Sequence, residues 1–166
     1  MTFRDEIIKH FMLRAKKGLG IRSGLDKFKD ADVLINCWIA FEAFSCDRYK
    51  KDGVGERIAN FCTAFEKEYK NNYAKLPDVS RENVEALSKK TIGDMRPSHL
   101  TDKPKKITDI KDLKQVMEVI YQVRNNLFHG GKNPAGNDDD FEKVRLSANV
   151  FYQILERYFI QSGLSW

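Results

Sequence analysis

The sequence predicts an all-α protein, a single helical bundle of about five to six helices. Apolar residues recur at steps of three and four along most of the chain, which is the spacing of one helix face. The chain has 166 residues, an ordinary length for one domain, so the whole of 1–166 is expected to fold as one unit. Hydrophobic residues make up 42% of the chain and aromatic residues 11%, which is enough to fill a core.

Three helices with apolar stripes are predicted in the first half of the chain. The first, 3–17, is expected to stop at Gly18 and Gly20, because glycine commonly follows a helix end. The second, 25–50, contains the most apolar stretch of the sequence, and the third, 55–73, ends before Pro77. The second helix is expected to bury its apolar stripe, which consists of Leu25, Phe28, Ala31, Leu34, Ile35, Trp38, Ile39, Phe41 and Phe44.

The second half of the chain is predicted to form one short helix and two long ones. Ser80 is expected to cap the short helix, 80–87. An irregular segment with prolines and lysines, 93–106, reads as an exposed loop. Helices over 109–128 and 138–160 follow, and three aspartates open the last one, where they suit the positive end of the helix dipole. The stripe of the 109–128 helix consists of Ile110, Leu113, Val116, Met117, Ile120, Tyr121, Leu127 and Phe128.

Composition argues against several classes of protein. The 29 basic and 24 acidic residues give a net charge of +5, which fits either a polyanionic partner or an ordinary solvated surface. No apolar run is long enough for a membrane span and the first residues lack the order of a signal peptide, so we expect a soluble, cytoplasmic protein. Cys37, Cys46 and Cys62 lie in apolar stripes as free thiols, and the three histidines are well separated; we expect no metal site and no cofactor.

One segment is not explained by packing alone. The helix over 109–128 is regularly apolar, yet its last two turns carry Arg124, Asn125 and Asn126, and His129 follows. Arg124 comes three residues after Tyr121, so it falls toward the buried stripe. Burying a guanidinium costs desolvation free energy unless an anion meets it. That anion is either a carboxylate of the same chain or a phosphate that a ligand brings.

The pattern Arg124-x4-His129 resembles the arginine-x4–6-histidine motif of the HEPN superfamily of small all-α domains. Asn125 directly follows the arginine, the motif ends the penultimate long helix, and a loop with proline and glycine leads into an apolar last helix. The segment 34–44 is similar to the early core helix of the Apea-like HEPN branch. The likeness therefore spans roughly residues 30–160, apart from the irregular segment 93–106, which we cannot match to the family.

The resemblance implies a metal-independent endoribonuclease that acts in a toxin, antiviral defence, stress or RNA-processing setting. Two subunits of a homodimer would each bring one copy of the motif to a shared cleft, where RNA is cleaved through its own 2′-hydroxyl. The implied products are a 2′,3′-cyclic phosphate and a 5′-hydroxyl. A histidine imidazole has a reference pKa of about 6.5, so it can act as an acid or a base at neutral pH, which is the role implied for His129. Arg124 is suited to bind the phosphate through two parallel hydrogen bonds.

Four further residues are candidates for supporting roles in that site. Asn125 and Asn126 would orient the histidine or bind the phosphate, Lys132 would contact the RNA backbone, and Glu42 would pair with Arg124 and hold its guanidinium. Members of the family that an antitoxin silences by nucleotidylation often carry a tyrosine two residues after the histidine, where this chain has Gly131. An antitoxin or another regulatory protein remains an expected partner, but not through that modification.

Three alternatives stay open on the sequence alone. Arg124 and Glu42 would form a purely structural ion pair, with His129 as a cation at the helix end. A catalytically inactive HEPN module would bind RNA or nucleotide and mediate dimerisation. An all-α scaffold would have no nucleic-acid role. The lysines of 103–106 likewise have two interpretations: they belong to a solvated loop, or they form an arm that contacts RNA.

Overall fold

The computed structural model describes residues 3–20, 27–49, 53–73, 78–94, 103–128 and 138–164. These ranges contain six helices and no strand, so the predicted all-α bundle is confirmed. The helices are α1 (Phe3–Gly20), α2 (Lys27–Arg48), α3 (Val54–Asn72), α4 (Asp78–Ser88), α5 (Leu113–Phe128) and α6 (Asp138–Gln161). None of these helices is apolar over a length that would cross a bilayer.

The core lies around α2, which contacts α1, α3, α5 and α6. Phe41 is fully buried at its centre, and its ring centroid lies 5.3 Å from Trp38, 5.3 Å from Phe61 and 5.9 Å from Phe151. Edge-to-face and tilted contacts at this spacing are the favoured geometry of aromatic pairs. This cluster joins α2 to α3 and α6.

The segment between α4 and α5 is joined to itself by one antiparallel bridge. Ile92 and Lys105 exchange both backbone hydrogen bonds, with N to O distances of 2.9 and 2.8 Å. Ile92 and Ile107, which flank the predicted loop 93–106, are buried, whereas the described residues of the loop are exposed apart from the partly buried Asp94. The bridge places the backbone of this segment beside α3 and α5.

The N-terminal caps of α4 and α5 differ from those predicted. α4 starts at Asp78, so the prediction that Ser80 is its N-cap is wrong. α5 starts at Leu113, four residues later than predicted, because Asp112 is its N-cap: its carboxylate accepts a hydrogen bond from the backbone N–H of Gln115 at 3.1 Å. The Gln115 side chain in turn accepts from the backbone N–H of Thr108 at 2.7 Å, which keeps the preceding residues in a turn.

Two predictions about individual apolar residues are also wrong. Ile39 and Phe128, both expected in the core, are 37% and 51% exposed. α1 ends at Gly20, the second of the two glycines expected to stop it, and includes Gly18. A Cβ atom at Gly18 would lie 2.5 Å from Cγ2 of Val33, so this glycine allows α1 to approach α2 closely.

The cysteines are free thiols, with Cys37 and Cys62 buried, and burial raises the pKa of Cys62 to about 12.

Candidate anion-binding site around Arg124

Arg124 lies in the last turns of α5, where its side chain rests on two aromatic rings. Its guanidinium carbon lies 4.3 Å from the ring centroid of Phe128 and 5.2 Å from that of Trp38 on α2. Both distances are within the range of cation–π attraction. The side chain is half-buried, as its place beside the apolar stripe of α5 requires.

The hydrogen bonds of Arg124 leave much of its guanidinium unused. Nη1 donates to Oδ1 of the neighbouring Asn125 at 3.0 Å, and Nε is buried without a hydrogen-bond partner. Among the described residues, no carboxylate forms an ion pair with this arginine. A half-buried cation without a carboxylate partner among the described residues is a site where an anion from outside the chain would bind favourably.

Glu42 does not pair with Arg124, so that prediction is wrong. Its Oε2 lies 2.8 Å from Nη2 of Arg57 on α3, and its Oε1 accepts a hydrogen bond from Nε1 of Trp38 at 3.0 Å. The carboxylate thus joins α2 to α3 and fixes the indole of Trp38, which lies one helical turn earlier on α2. Glu42 acts on Arg124 only through Trp38, whose ring the arginine contacts.

The two asparagines of the motif are both buried, and they have different partners. Asn126 is fully buried, donates from Nδ2 to the backbone oxygen of Gly93 at 2.8 Å, and accepts from Nε2 of Gln122 at 3.1 Å. Asn126 therefore attaches the segment after α4 to α5, which is a structural task. Asn125, 3% exposed, accepts the hydrogen bond from Arg124 and orients its guanidinium.

Two of the predicted site residues, His129 and Lys132, lie outside the described residues, as does Gly131. The structure brings Arg124 and Asn125 together at the end of α5 and places Asn126 in contact with the segment after α4. It places Glu42 one contact further away, behind Trp38. Within the six described ranges, no group of three histidine, cysteine or acidic side chains is arranged to hold a metal ion.

Sequence reasoning missed the role of Trp38, which we assigned to the core alone. Trp38 is buried, but its ring also contacts the guanidinium of Arg124 and stacks on Tyr121, with centroids 5.3 Å apart and planes 25° apart. The signal that would have found it is the spacing of Trp38 and Glu42, which are four residues apart on one helix face and so able to form a hydrogen bond.

Comparison of the chain with protein-family models, curated proteins and solved structures finds no match. The function of the chain is therefore inferred from two sources, the Arg124-x4-His129 motif and the geometry around Arg124.

Proposed function

We propose that this chain is a metal-independent endoribonuclease of the HEPN type that cleaves RNA through the 2′-hydroxyl. Two copies of the chain would form a homodimer and bring Arg124 and His129 of each copy into one cleft. The proposed setting is a toxin, defence or stress system in the cytoplasm, under the control of an antitoxin or another regulatory protein. The observation that carries the proposal is that Arg124 rests on aromatic rings without a carboxylate partner among the described residues.

This environment favours binding of a phosphate over a structural ion pair. The carboxylate that would have neutralised Arg124, that of Glu42, is bound to Arg57 at 2.8 Å. Aromatic faces attract a guanidinium without occupying its N–H donors, so the edge of the guanidinium stays available for hydrogen bonds. Phosphate accepts two parallel hydrogen bonds from arginine, and positive charge next to it stabilises the charge that develops on a phosphorane.

The chemistry of the proposal divides between two side chains. Arg124 would bind the scissile phosphate and stabilise the pentavalent transition state. Imidazoles of His129 from the two copies would remove the proton from the 2′-hydroxyl and give a proton to the leaving 5′-oxygen. The bond from phosphorus to the 5′-oxygen breaks as the bond to the 2′-oxygen forms, which yields the cyclic phosphate without a metal ion.

The test is cleavage of an end-labelled RNA pool in excess EDTA by the wild type and by Arg124→Ala and His129→Ala. We expect both variants to lose cleavage by about 100-fold or more, which is the usual effect of removing an acid–base or charge-stabilising group. Mass spectrometry of the product ends checks for the 2′,3′-cyclic phosphate and the 5′-hydroxyl, and sedimentation of the wild type checks the dimer.

Arg48→Ala is the matched control. Arg48 also lies over an aromatic ring, 4.4 Å from the centroid of Phe44, but it is the last residue of α2, well beyond Trp38 in the middle of that helix. The Arg48→Ala substitution removes the same charge and the same type of cation–π contact as Arg124→Ala, and it should leave cleavage unchanged. Equal cleavage by Arg124→Ala and the wild type would contradict the proposal. Salt-dependent RNA binding without cleavage would favour the catalytically inactive module instead.

A further inference from the structure

A cavity of about 270 Å³ lies between α3, α5 and the bridged segment that joins α4 to α5. Its apolar wall is formed by Ile58, Ala59 and Ile92, and lysines stand at its rim. The volume is slightly below the ~300 Å³ at which sites for drug-sized ligands begin, so the cavity suits a single planar ring system.

Tyr121 links the cavity to the surroundings of Arg124. Tyr121 lines it, and the same tyrosine stacks on Trp38 at a centroid distance of 5.3 Å. Trp38 in turn contacts the guanidinium of Arg124. Tyr121 and Arg124 are three residues apart on α5, so they lie side by side on its half-exposed face. A ligand that extends along this face would reach both the cavity and the arginine.

Gln122 lines the cavity, although the residue is only 6% exposed. Its side-chain oxygen, Oε1, is an acceptor without a partner among the described residues. The backbone oxygen of Gly93 can only accept, so Asn126 must donate to it from Nδ2 and offer Oδ1 to Gln122. Gln122 therefore donates from Nε2 to Asn126, and its Oε1 remains free to accept a hydrogen bond from a ligand in the cavity that this residue lines. No donor for that oxygen is found in the described part of the chain.

The rim of the cavity carries an excess of positive charge. Lys103, Lys105 and Lys114 face two carboxylates, those of Asp94 and Glu118. Glu118 is shared by two of the lysines, with distances of 3.3 Å to Lys105 and 4.0 Å to Lys114. Lys103 forms no ion pair or hydrogen bond with another described residue. The rim therefore attracts an anionic group at the mouth of an otherwise apolar and aromatic cavity.

We propose that this cavity holds one base of the RNA substrate beside the cleavage site, and that Gln122 selects bases with an amino group. This inference rests on the proposed function. The base would lie against Tyr121, and the flanking phosphate would contact Lys103. Adenine and cytosine can donate an amino hydrogen to Oε1 of Gln122, whereas the equivalent position of uracil is the O4 acceptor, which faces the glutamine oxygen without a hydrogen.

The experiment measures the binding of fluorescent 2′-O-methyl RNA hexamers of adenine, cytosine or uracil by anisotropy. The 2′-O-methyl group prevents cleavage through the 2′-hydroxyl, so that binding is measured alone. We expect the wild-type chain to bind the adenine and cytosine hexamers about three- to tenfold more tightly than the uracil hexamer. Gln122→Leu should remove that preference and leave the affinity for uracil nearly unchanged.

A second pair of variants keeps the test valid if Gln122→Leu does not fold, since that residue also bonds Asn126. Lys103→Ala should weaken the binding of all three hexamers about threefold, through the loss of one phosphate contact. Lys106→Ala removes the same charge from an exposed lysine that does not line the cavity, and it should have no effect. Equal effects of the two lysine variants would overturn the proposed path of the RNA.

The outcomes separate this inference from the proposed function. Cleavage of RNA without a base preference, or with a preference that Gln122→Leu leaves intact, overturns the base cavity and leaves the nuclease standing. A base preference that Gln122→Leu removes, in a chain that cleaves nothing, supports the cavity and contradicts the nuclease. No measurable binding of any hexamer overturns the base cavity.

Discussion

Three arginines of this chain rest in different environments. Arg57 is paired with a carboxylate and its side chain is 13% exposed, so its charge is compensated inside the protein. Arg48 lies over one ring at the exposed end of α2, where water can hydrate its guanidinium. Arg124 is half-buried, contacts two rings and has a buried Nε without a hydrogen-bond partner. Of these three arginines, Arg124 is therefore the one whose partly buried charge an anion from outside the chain would stabilise most.

Glu42→Gln tests whether Glu42 acts on structure or on RNA. We expect the substitution to lower the free energy of unfolding by roughly 1–2 kcal/mol, because Arg57 then lacks a counter-charge in a partly buried place. Glutamine still accepts a hydrogen bond from Trp38, so RNA affinity should stay within about twofold. Chemical denaturation and anisotropy measure the two quantities. Unchanged stability with a large loss of RNA affinity would mean that Glu42 contacts the RNA.

At the scale of elements, the close approach of α1 to α2 depends on Gly18, in the last turn of α1. Glycine is usually unfavourable inside a helix, by about 1 kcal/mol relative to alanine. Here Gly18 lies against Val33, a stiff β-branched residue that is almost fully buried. The packing of two helices thus outweighs the local preference of one residue.

Gly18→Ala should lower the free energy of unfolding by roughly 1–2 kcal/mol, because the new methyl group overlaps Val33 and the helices must separate. The higher helix propensity of alanine offsets only part of that cost. Combining the change with Val33→Ala provides the control, since removing the γ-methyl groups makes room. In that background Gly18→Ala should be neutral or stabilising. A wild-type chain that Gly18→Ala stabilises would show that the two helices are not so closely packed.

At the scale of the whole molecule, a cluster of charges joins the end of α4 to the start of α6. Lys90 lies 2.9 Å from Asp139 and also forms an ion pair with Glu142, while Lys143 pairs with Asp139 from one turn further along α6. Hydrogen bonds from Lys143, and then from Lys90, lower the pKa of Asp139 to about 2. Because the chain before and after Lys90 is anchored to the core, this cluster stabilises the tertiary arrangement.

The lowered pKa of Asp139 predicts how stability depends on pH. The folded protein keeps this carboxylate ionised to lower pH than the unfolded chain, so its contribution is fully present above about pH 4 and is lost as the pH falls toward 2. Asp139 is 49% exposed, so solvent screening limits the contribution to roughly 0.5–1 kcal/mol. Asp139→Asn should therefore destabilise the protein at pH 7 by that amount and hardly at all near pH 2.

Denaturation curves at several pH values test this expectation, with Asp32→Asn as the control. Asp32 is exposed on α2, and its side chain forms no ion pair with another described residue. Its substitution should change stability little at any pH. A destabilisation by Asp139→Asn that stays constant from pH 7 to pH 2 would contradict the assignment of the cluster.

The all-α class and the approximate helices follow from apolar periodicity, because a stripe of apolar residues has to be buried whatever it packs against. The same logic marked Arg124 as unusual, since it lies beside that stripe and carries a charge. Periodicity does not specify which side chain on another helix lies opposite a given residue. Glu42 was therefore predicted to form an ion pair with Arg124, whereas the packing of α3 on α2 brings Arg57 to this carboxylate. Gly18, Phe128 and the cavity beside Gln122 depend likewise on distances between helices, which are set by how all the side chains pack together and are not encoded in any single segment.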